Sequence, residues 1–184
     1  MPGRAGDGWK IIKAPAVIDG DLKISNAEDL RLMPTSEKPW ENIVYVTGDV
    51  RNLGNLKNLG VTLVILGKYQ DENHSKYEID TQESPYGTRE SVLQHANFLS
   101  LNRDADAITI NSNEKMDSGL IYAGRGGVRV NGSCEITGKL VAAGNQDMVI
   151  NPNGNEFTLR YEPLSGGNRH VVGSAEDHAV ITLP

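Results

Sequence analysis

The side chains that could perform metal or acid–base chemistry are scattered along this chain. Histidines form neither an HxH nor an HExxH spacing, so no protease-type zinc site is indicated. They occur at His74, His95, His170 and His178. Cys134 is the single cysteine, which excludes an intramolecular disulfide and a thiolate cluster, and we interpret it as a small buried hydrophobe. Asp104, Asp106 and Asn111 could contact a cation, but acidic turn residues are common without one. We predict no metal and no cofactor.

Paired carboxylates would be the signature of polysaccharide cleavage, a reaction that many β-helix proteins catalyse. Such a pair must lie about 5–10 Å apart on one face. The turn positions contain Glu114, Glu135 and Glu156, which do not fall into one column. The glycines of GRGGVRVNG open no helix, so this stretch is not a phosphate loop. We therefore predict no catalytic residues and no enzymatic activity.

Charge and hydropathy restrict the partners. The formal net charge is −6, and no basic stripe is present, which argues against nucleic acid. No run of about 18 apolar residues occurs, so we predict no membrane insertion of this chain. The N-terminal twenty residues lack the apolar stretch of a signal peptide. We expect either a cytoplasmic protein or a fragment of a longer exported one.

An internal period of twenty residues dominates residues 119–163. Sliding the sequence by twenty aligns apolar and polar positions alike, as solenoid repeats do. The aligned sets are Ile108, Val128 and Met148; Ile110, Val130 and Ile150; Asn111, Asn131 and Asn151; Leu120 and Leu140; Ala123 and Ala143; Gly124 and Gly144; Val44 and Val64; and Val46 and Leu66. A polar residue separates the apolar pair in ITI and VRV, which predicts strands with one buried face.

Strands in units of about twenty, without helices between them, predict an all-β, right-handed parallel β-helix of one domain and about six rungs. We expect Ile110, Val130 and Ile150 to form one buried column. Asn111, Asn131 and Asn151 should form a structural ladder whose amides bond along the stack at a turn. Thr109, Arg129 and Val149 should face outward.

The remaining segments are predicted around the solenoid of residues 43–163. Residues 1–42 should hold an N-terminal cap and a first rung at 16–25, with a short helix near 27–33. The cap candidates are Trp9, Ile11, Ile12 and Leu30. Residues 68–97 break the pattern and are predicted to be an excursion from the stack, with a helix starting near Thr88. The stack should resume with FLSL at 98–101. Residues 164–184 should be a tail, in which HAVITLP adds a last edge strand.

Five segments carry a resemblance to a known family: NIVYVTGDV, VTLVILG, AITINSN, GLIYAGRGGVRVNGSCEITGKLVAAG and FTLRYEP. Together they resemble the β-solenoid C-terminal domain of bacterial pilus-assembly and minor-pilin-like surface proteins, including its closing motif at Tyr161-Glu162-Pro163. The resemblance implies a bacterial surface setting, a structural or adhesive role, and no catalytic residues. A second resemblance, in the V.I.G…I.G.L.A cadence, is to bactofilin-like solenoids, which polymerise in the cytoplasm.

The sequence thus leads to one favoured function and two alternatives. We expect a non-enzymatic, extracellular or cell-surface structural or adhesive domain, with pilus subunits or surface glycans as partners. It would bind through the 68–97 loop or a flat solenoid face. A cytoplasmic polymer-forming solenoid and a carbohydrate-binding or carbohydrate-active β-helix are the alternatives. The oligomeric state is left open.

Overall fold

The computed structural model describes residues 9–26, 28–72, 74–111, 114–144, 146–151, 157–160 and 180–183. The strands in chain order are β1 (Trp9–Lys13), β2 (Ala16–Ile18), β3 (Leu22–Ile24), β4 (Asp29–Met33), β5 (Ile43–Val46), β6 (Val50–Asn52), β7 (Asn55–Asn58), β8 (Thr62–Ile65), β9 (Tyr69–Asp71), β10 (Lys76–Ile79), β11 (Asn97–Ser100), β12 (Ile108–Ile110), β13 (Lys115–Ala123), β14 (Val128–Val130), β15 (Glu135–Ala142), β16 (Met148–Ile150), β17 (Phe157–Arg160) and β18 (Val180–Leu183). The described helices are α1 (Arg89–His95) and a short 3-10 helix, Pro39–Glu41.

The strands stack into three parallel faces, which confirms the predicted all-β parallel β-helix. Face 1 contains β1, β4, β7, β10, the first part of β13, the first part of β15, and β17. Face 2 contains β2, β5, β8, β11 and the last parts of β13 and β15. Face 3 contains β3, β6, β9, β12, β14 and β16. Each rung passes face 1, corner 1, face 2, corner 2, face 3 and corner 3 in that order.

The core is a column of apolar side chains that alternate inward along each short strand. Because single rungs cannot bury these residues, the stacking of rungs creates the core. Three aromatic rings, one from each face, meet in its middle. The Phe98 ring lies edge-on to Tyr69 at 4.5 Å and to Tyr77 at 6.1 Å between centroids. Such edge contacts add to the stabilisation from burial.

The twenty-residue register is present on face 3. The pairs Ile108–Val128 and Ile110–Val130 join β12 to β14, and Val128–Met148 and Val130–Ile150 join β14 to β16. Ile110 and Val130 are fully buried, whereas Ile150 on the last rung is only partly buried. The middle residues of these strands face outward, as predicted.

The predicted register is wrong by one residue on face 2. Ala123 pairs with Ala142 rather than with Ala143, and Leu120 pairs with Lys139 rather than with Leu140. The cause is a bulge between Asp117 and Leu120, where β13 contains one residue more than β15. Similarly, β5 and β8 are offset by nineteen positions, which pairs Val44 with Leu63 and Val46 with Ile65.

The helix predicted near residues 27–33 is a strand instead. β4 pairs in parallel with β1 on one side and β7 on the other. Leu30 and Leu32 point into the core, while Arg31 between them is only partly buried. A two-residue period with neighbours on both edges outweighs the helix propensity of a short Asp-Leu-Arg-Leu segment.

The predicted excursion at 68–97 is too long. Its first half supplies two strands of the stack, β9 and β10. Their inward residues are Tyr69, Asp71 and Tyr77, whose polar atoms disguise a buried face. The chain leaves the stack only at residues 80–96, where α1 begins after the N-cap Thr88 as predicted. The stack resumes with β11.

The N-terminal end of the stack differs from the prediction, whereas the predicted C-terminal edge strand is present. Trp9, Ile11 and Ile12 belong to β1, the first strand of face 1, and Leu30 is a core residue, so these positions form rungs and not a separate cap. The regular stack therefore begins well before residue 43. At the other end, β18 pairs antiparallel with β17, as the predicted edge strand does. The rest of the predicted tail and the Tyr161-Glu162-Pro163 motif lie outside the described residues.

Candidate docking surface

The predicted asparagine ladder lies at corner 3. Asn131 Nδ2 donates to Asn111 Oδ1 at 2.9 Å, and Asn111 Nδ2 donates to the carbonyl oxygen of Asp71 at 2.9 Å. The Asp71 carboxylate accepts from the backbone amide of Asn111. These bonds run along the stack and hold the turns of successive rungs together.

Asn151 occupies the next turn of the same corner. It is exposed, and its backbone amide donates to the carbonyl of Val130 at 2.7 Å. The side-chain amides of Asn111 and Asn131 thus form the predicted ladder, and Asn151 is joined to the stack through its backbone amide. They offer no concave ligand site.

Cys134 is buried in the core near Asp71. Burial, followed by the negative charge of Asp71, raises the pKa of the Cys134 thiol to about 12. A thiol with such a pKa carries almost no thiolate at neutral pH and is a poor nucleophile. Cys134 consequently acts as a packing residue, as its position in the core cluster indicates.

Asp104 and Asp106, two of the candidate cation ligands, both form ion pairs with a lysine. Lys68 Nζ lies 2.9 Å from Asp106 Oδ1 and 3.0 Å from Asp104 Oδ2. The hydrogen bond to Asp106 is the largest cause of the raised Lys68 pKa, and the same bond lowers the pKa of Asp106. Within the described ranges, no group of three or more His, Cys, Asp or Glu side chains could hold a metal ion.

The other candidates for chemistry are not brought together. His95 is at the end of α1, where burial lowers its pKa and its ring lies 4.5 Å from that of Tyr86. Glu135 pairs with Arg160 at 3.3 Å, and Glu114 lies 3.8 Å from Lys76. His170, His178 and Glu156 lie outside the described residues.

Face 1 carries paired charges on its outer side, and the Arg31 and Asp80 side chains of the central pair are largely covered. The Arg31 guanidinium lies 3.5 Å from the Asp80 carboxylate and 4.9 Å from the Trp9 ring centroid. Lys57 Nζ lies 3.7 Å from the same carboxylate and 4.9 Å from the same ring. The charged groups at this position thus find their ionic and cation–π partners within the chain itself.

Face 3 presents a mixed polar surface. Its outward column consists of Lys23, Arg51, Gln70, Thr109, Arg129 and Val149. Arg51 pairs with Glu72 at 2.6 Å, an exposed ion pair of small energetic value. Most of this column has the solvated composition expected for the outer surface of a solenoid.

Face 2 differs from both, because its outward positions are apolar. One continuous column, called here the central column, consists of Val17, Tyr45, Val64, Leu99, Tyr122 and Val141. None of these side chains belongs to the interior core cluster. Val17 is 70% exposed and Tyr45 is 42% exposed. Val64 in the middle is only 8% exposed, and Leu99, Tyr122 and Val141 are partly buried, so the column forms an outward apolar stripe that is most exposed at its β2–β5 end.

Further apolar residues widen this stripe towards corner 2. Leu66 and Leu101 are 46% and 42% exposed, and both follow directly after a face 2 strand. A Cβ built on Gly124 would lie 3.0 Å from Tyr122 Cε1 and 3.6 Å from Leu101 Cδ2, so the Tyr122 ring lies over Gly124 beside Leu101. The glycine allows the ring to lie flat on the surface.

Trp40 stands at the corner 1 border of the same face. It is the middle residue of the 3-10 helix that leads into β5, and it is 71% exposed. The loop is fixed by Asn42, whose side-chain amide donates to Tyr86 Oη at 2.7 Å and to Ser36 O at 2.6 Å. A fixed loop thus presents an exposed indole, a side chain often found at the centre of protein interfaces.

The arrangement suits the docking of another apolar surface. A contiguous exposed apolar patch of several hundred Å² is typical of interaction sites. A flat solenoid face is predicted from the sequence as a binding surface, without its residues. The sequence does contain an indication of an apolar outer face. In IVYV and TLVI both the inward and the outward positions include apolar residues, whereas in VRV and ITI apolar and polar residues alternate. Such strands are apolar on both sides, so on this face an apolar side points outward, although Val64 on β8 is itself only 8% exposed.

Comparison with models of protein families, with curated proteins and with solved structures finds no match to this chain. In the part of the chain that the structure describes, no helix has the length and apolar character needed to cross a membrane.

Proposed function

We propose that this protein is a non-enzymatic structural or binding module that docks another protein through face 2. The observation that carries the proposal is the central column, six outward apolar side chains in register, of which all but Val64 are at least partly exposed. The resemblance to pilus-associated solenoids supports a place in a bacterial surface or pilus assembly, where subunits of such an assembly would be the partners. Adhesion would then be a property of the assembled structure.

The chemistry of face 2 favours a protein partner over a glycan. Sugar recognition requires hydrogen bonds to hydroxyl groups, and the central column offers only the hydroxyl groups of its two tyrosines. The alternative of an end-to-end polymer receives less support. β18 lies antiparallel on β17, so a parallel strand from another copy cannot continue face 1 at that edge.

Site-specific photo-crosslinking in cells that produce the protein tests the proposal. A benzophenone amino acid at position 45 should give a covalent adduct with a protein, and the adduct should occur in the envelope or surface fraction. The matched control places the same group at Gln70, which is exposed on face 3. Equal adducts at both positions, or none at position 45, would overturn docking through face 2. An adduct found only in the cytoplasm would overturn the surface setting.

A further inference from the structure

Face 2 contains three outward columns whose composition is symmetric about its middle. The central column reads Val-Tyr-Val-Leu-Tyr-Val from β2 to β15. From β5 to β13 the corner 1 column reads Ile43, Thr62, Asn97 and Leu120, and Lys139 follows it on β15. The corner 2 column reads Thr47, Leu66, Leu101 and Gly124, as the backbone bonds of these residues to the rung below indicate. Each sequence is nearly the same in both directions, with its centre between β8 and β11.

This symmetry has a geometric consequence for two copies that meet face to face. A two-fold axis along the strand direction, between β8 and β11, reverses the order of the rungs and keeps each column opposite itself. Tyr45 then faces Tyr122 of the other copy, and Leu66 faces Leu101. Apolar residues meet apolar residues throughout the central column.

The flanking positions distinguish this arrangement from the alternative axis. With the axis along the strands, Ile43 faces Leu120 of the other copy, and Thr62 faces Asn97. With the axis along the stack, the corner 1 column would face the corner 2 column, and Leu101 would meet Asn97 of the other copy. Only the antiparallel arrangement of the two stacks pairs residues of like polarity in all three columns.

The charge of this surface also fits a second copy. The chain has a net charge of −6, so two copies repel each other over most of their surface. Between β5 and β13, the three columns contain no charged side chain. Face 2 is thus a surface on which two copies meet without bringing like charges together.

The available area predicts a weak pair. The fourteen outward positions of the three columns, spaced about 4.8 Å along the stack and about 6.6 Å along the strands, give roughly 450 Å² on each copy. The total is close to the lower bound of about 1,000 Å² for a specific interface. Interfaces of this size are typical of weak, transient complexes, so we expect reversible association.

We propose that a second copy of this chain docks on face 2, in a two-fold arrangement in which the two stacks run antiparallel. The inference rests on the proposed function of face 2 and names its partner.

Sedimentation equilibrium of the purified full chain tests the pair. The parent should show a reversible monomer–dimer equilibrium. Tyr45→Lys should raise the dissociation constant by roughly 100-fold, because a two-fold interface contains the substituted position twice and so gains two buried lysines. Leu66→Lys should act in the same direction. Gln70→Lys on face 3 should stay within about two-fold of the parent, and far-UV circular dichroism should show that all three variants are folded.

Chemical crosslinking tests the arrangement. In a mixture of the Tyr45→Cys and Tyr122→Cys variants, a bis-maleimide with a span of about 10 Å, the distance between packed sheets, should link the two introduced thiols. Neither variant alone should be joined, since the two copies of position 45 lie three strands apart. The parent serves as background, because Cys134 is buried. Efficient joining within Tyr45→Cys alone would overturn the antiparallel arrangement.

The outcomes separate this inference from the proposed function. A parent that stays monomeric at its highest soluble concentration, or a dimer that Tyr45→Lys leaves unchanged, would overturn the second copy. If position 45 then still crosslinks to a different protein in cells, docking through face 2 stands with another partner. If position 45 crosslinks to nothing, both are overturned.

Discussion

Position 130 decides which side of face 3 is inside. Val130 is fully buried between Ile110 and Ile150 of the neighbouring rungs. Val130→Asp would place a carboxylate in the core without a partner, which costs about 3–5 kcal/mol or more. We expect most or all of the stability to be lost, since small domains have only about 5–15 kcal/mol. Urea denaturation followed by circular dichroism measures this.

The adjacent position supplies the matched control. Arg129 faces outward on the same strand and is exposed. Arg129→Asp introduces the same side chain one residue away, and we expect a change within about 1 kcal/mol. If Val130→Asp were as stable as Arg129→Asp, the inward and outward assignment of this face would be wrong.

The ion pairs of Lys68 predict a dependence of stability on pH. The pKa of Asp106 is lowered in the folded protein, chiefly by the bond from Lys68. A carboxylate with a lowered folded pKa stabilises the fold above its unfolded pKa of about 3.9, and this contribution is lost as the pH falls through the folded pKa. The raised pKa of Lys68 adds stability that is present below about pH 10 and lost at higher pH.

Lys68→Met should therefore be less stable than the parent at pH 7 and nearly equal to it at pH 2–3. The difference should be below about 1 kcal/mol, because Lys68, Asp104 and Asp106 are all more than one-third exposed. Urea titrations at both pH values measure it. Lys23→Met, which removes the same charge from the outer surface of face 3, is the control. An equal loss at both pH values would show that the stem of Lys68, and not its charge, matters.

At the scale of elements, two glycines with positive φ allow the steric and the conformational cost of a substitution by alanine to be compared. Gly138 has φ +129°, and a Cβ there would lie 1.6 Å from the Ser118 carbonyl oxygen of the β13 bulge. Gly87 has φ +74° and nothing within 4 Å of the same atom. Gly87→Ala should cost about 1–2 kcal/mol, the strain of a left-handed residue.

Gly138→Ala should cost clearly more, because the backbone of two rungs must separate to admit the methyl group. Chemical denaturation of both variants gives the comparison. Equal losses would mean that the bulge relaxes freely and does not fix the change in register between the two parts of β13 and β15.

The elements that could be predicted are those whose burial alternates cleanly. In β12 and β14 a polar residue separates two buried aliphatic ones, so the strand, its inner face and its twenty-residue partner follow directly from the sequence. The Thr88 N-cap and the helix after it were equally readable, because a hydroxyl at that position satisfies a free helix amide.

Elements with polar groups in the core could not be predicted from the sequence. β9 and β10 point Tyr69, Asp71 and Tyr77 inward, and their polar atoms resemble those of a loop. Tyr77 Oη accepts a bond from the buried amide of Asn58 at 2.9 Å, a compensation that arises only when the rungs are stacked. The outward apolar column of face 2 was missed for a related reason: Tyr45 and Val64 belong to runs that read as fully buried strands.

At the scale of the whole molecule, the three faces divide the tasks of a solenoid. Face 1 carries ion pairs beside the exposed Ile11, and face 3 carries mostly polar outward residues. Face 2 alone leaves apolar side chains in register. Rungs contact only their neighbours, and the outward side chains of a strand do not enter the core. An apolar stripe can therefore exist on the outside without disturbing the core packing.

The same nearest-neighbour structure predicts a gradient of local stability along the stack. β12 is paired on both edges and its apolar residues are fully buried. β16 is paired with β14 alone among the described strands, and Met148 and Val149 are 39% and 38% exposed. A terminal rung opens without breaking contacts on its outer side, so its opening free energy is lower.

Amides of residues 148–150 should therefore exchange with solvent on the order of 100-fold faster than those of residues 108–110 under native conditions. Hydrogen–deuterium exchange read by mass spectrometry resolves the two peptides, and the strand of intermediate position, β14, is the internal control. Equal protection of β12 and β16 would contradict independent rungs. It would mean that the stack opens only as a single cooperative unit.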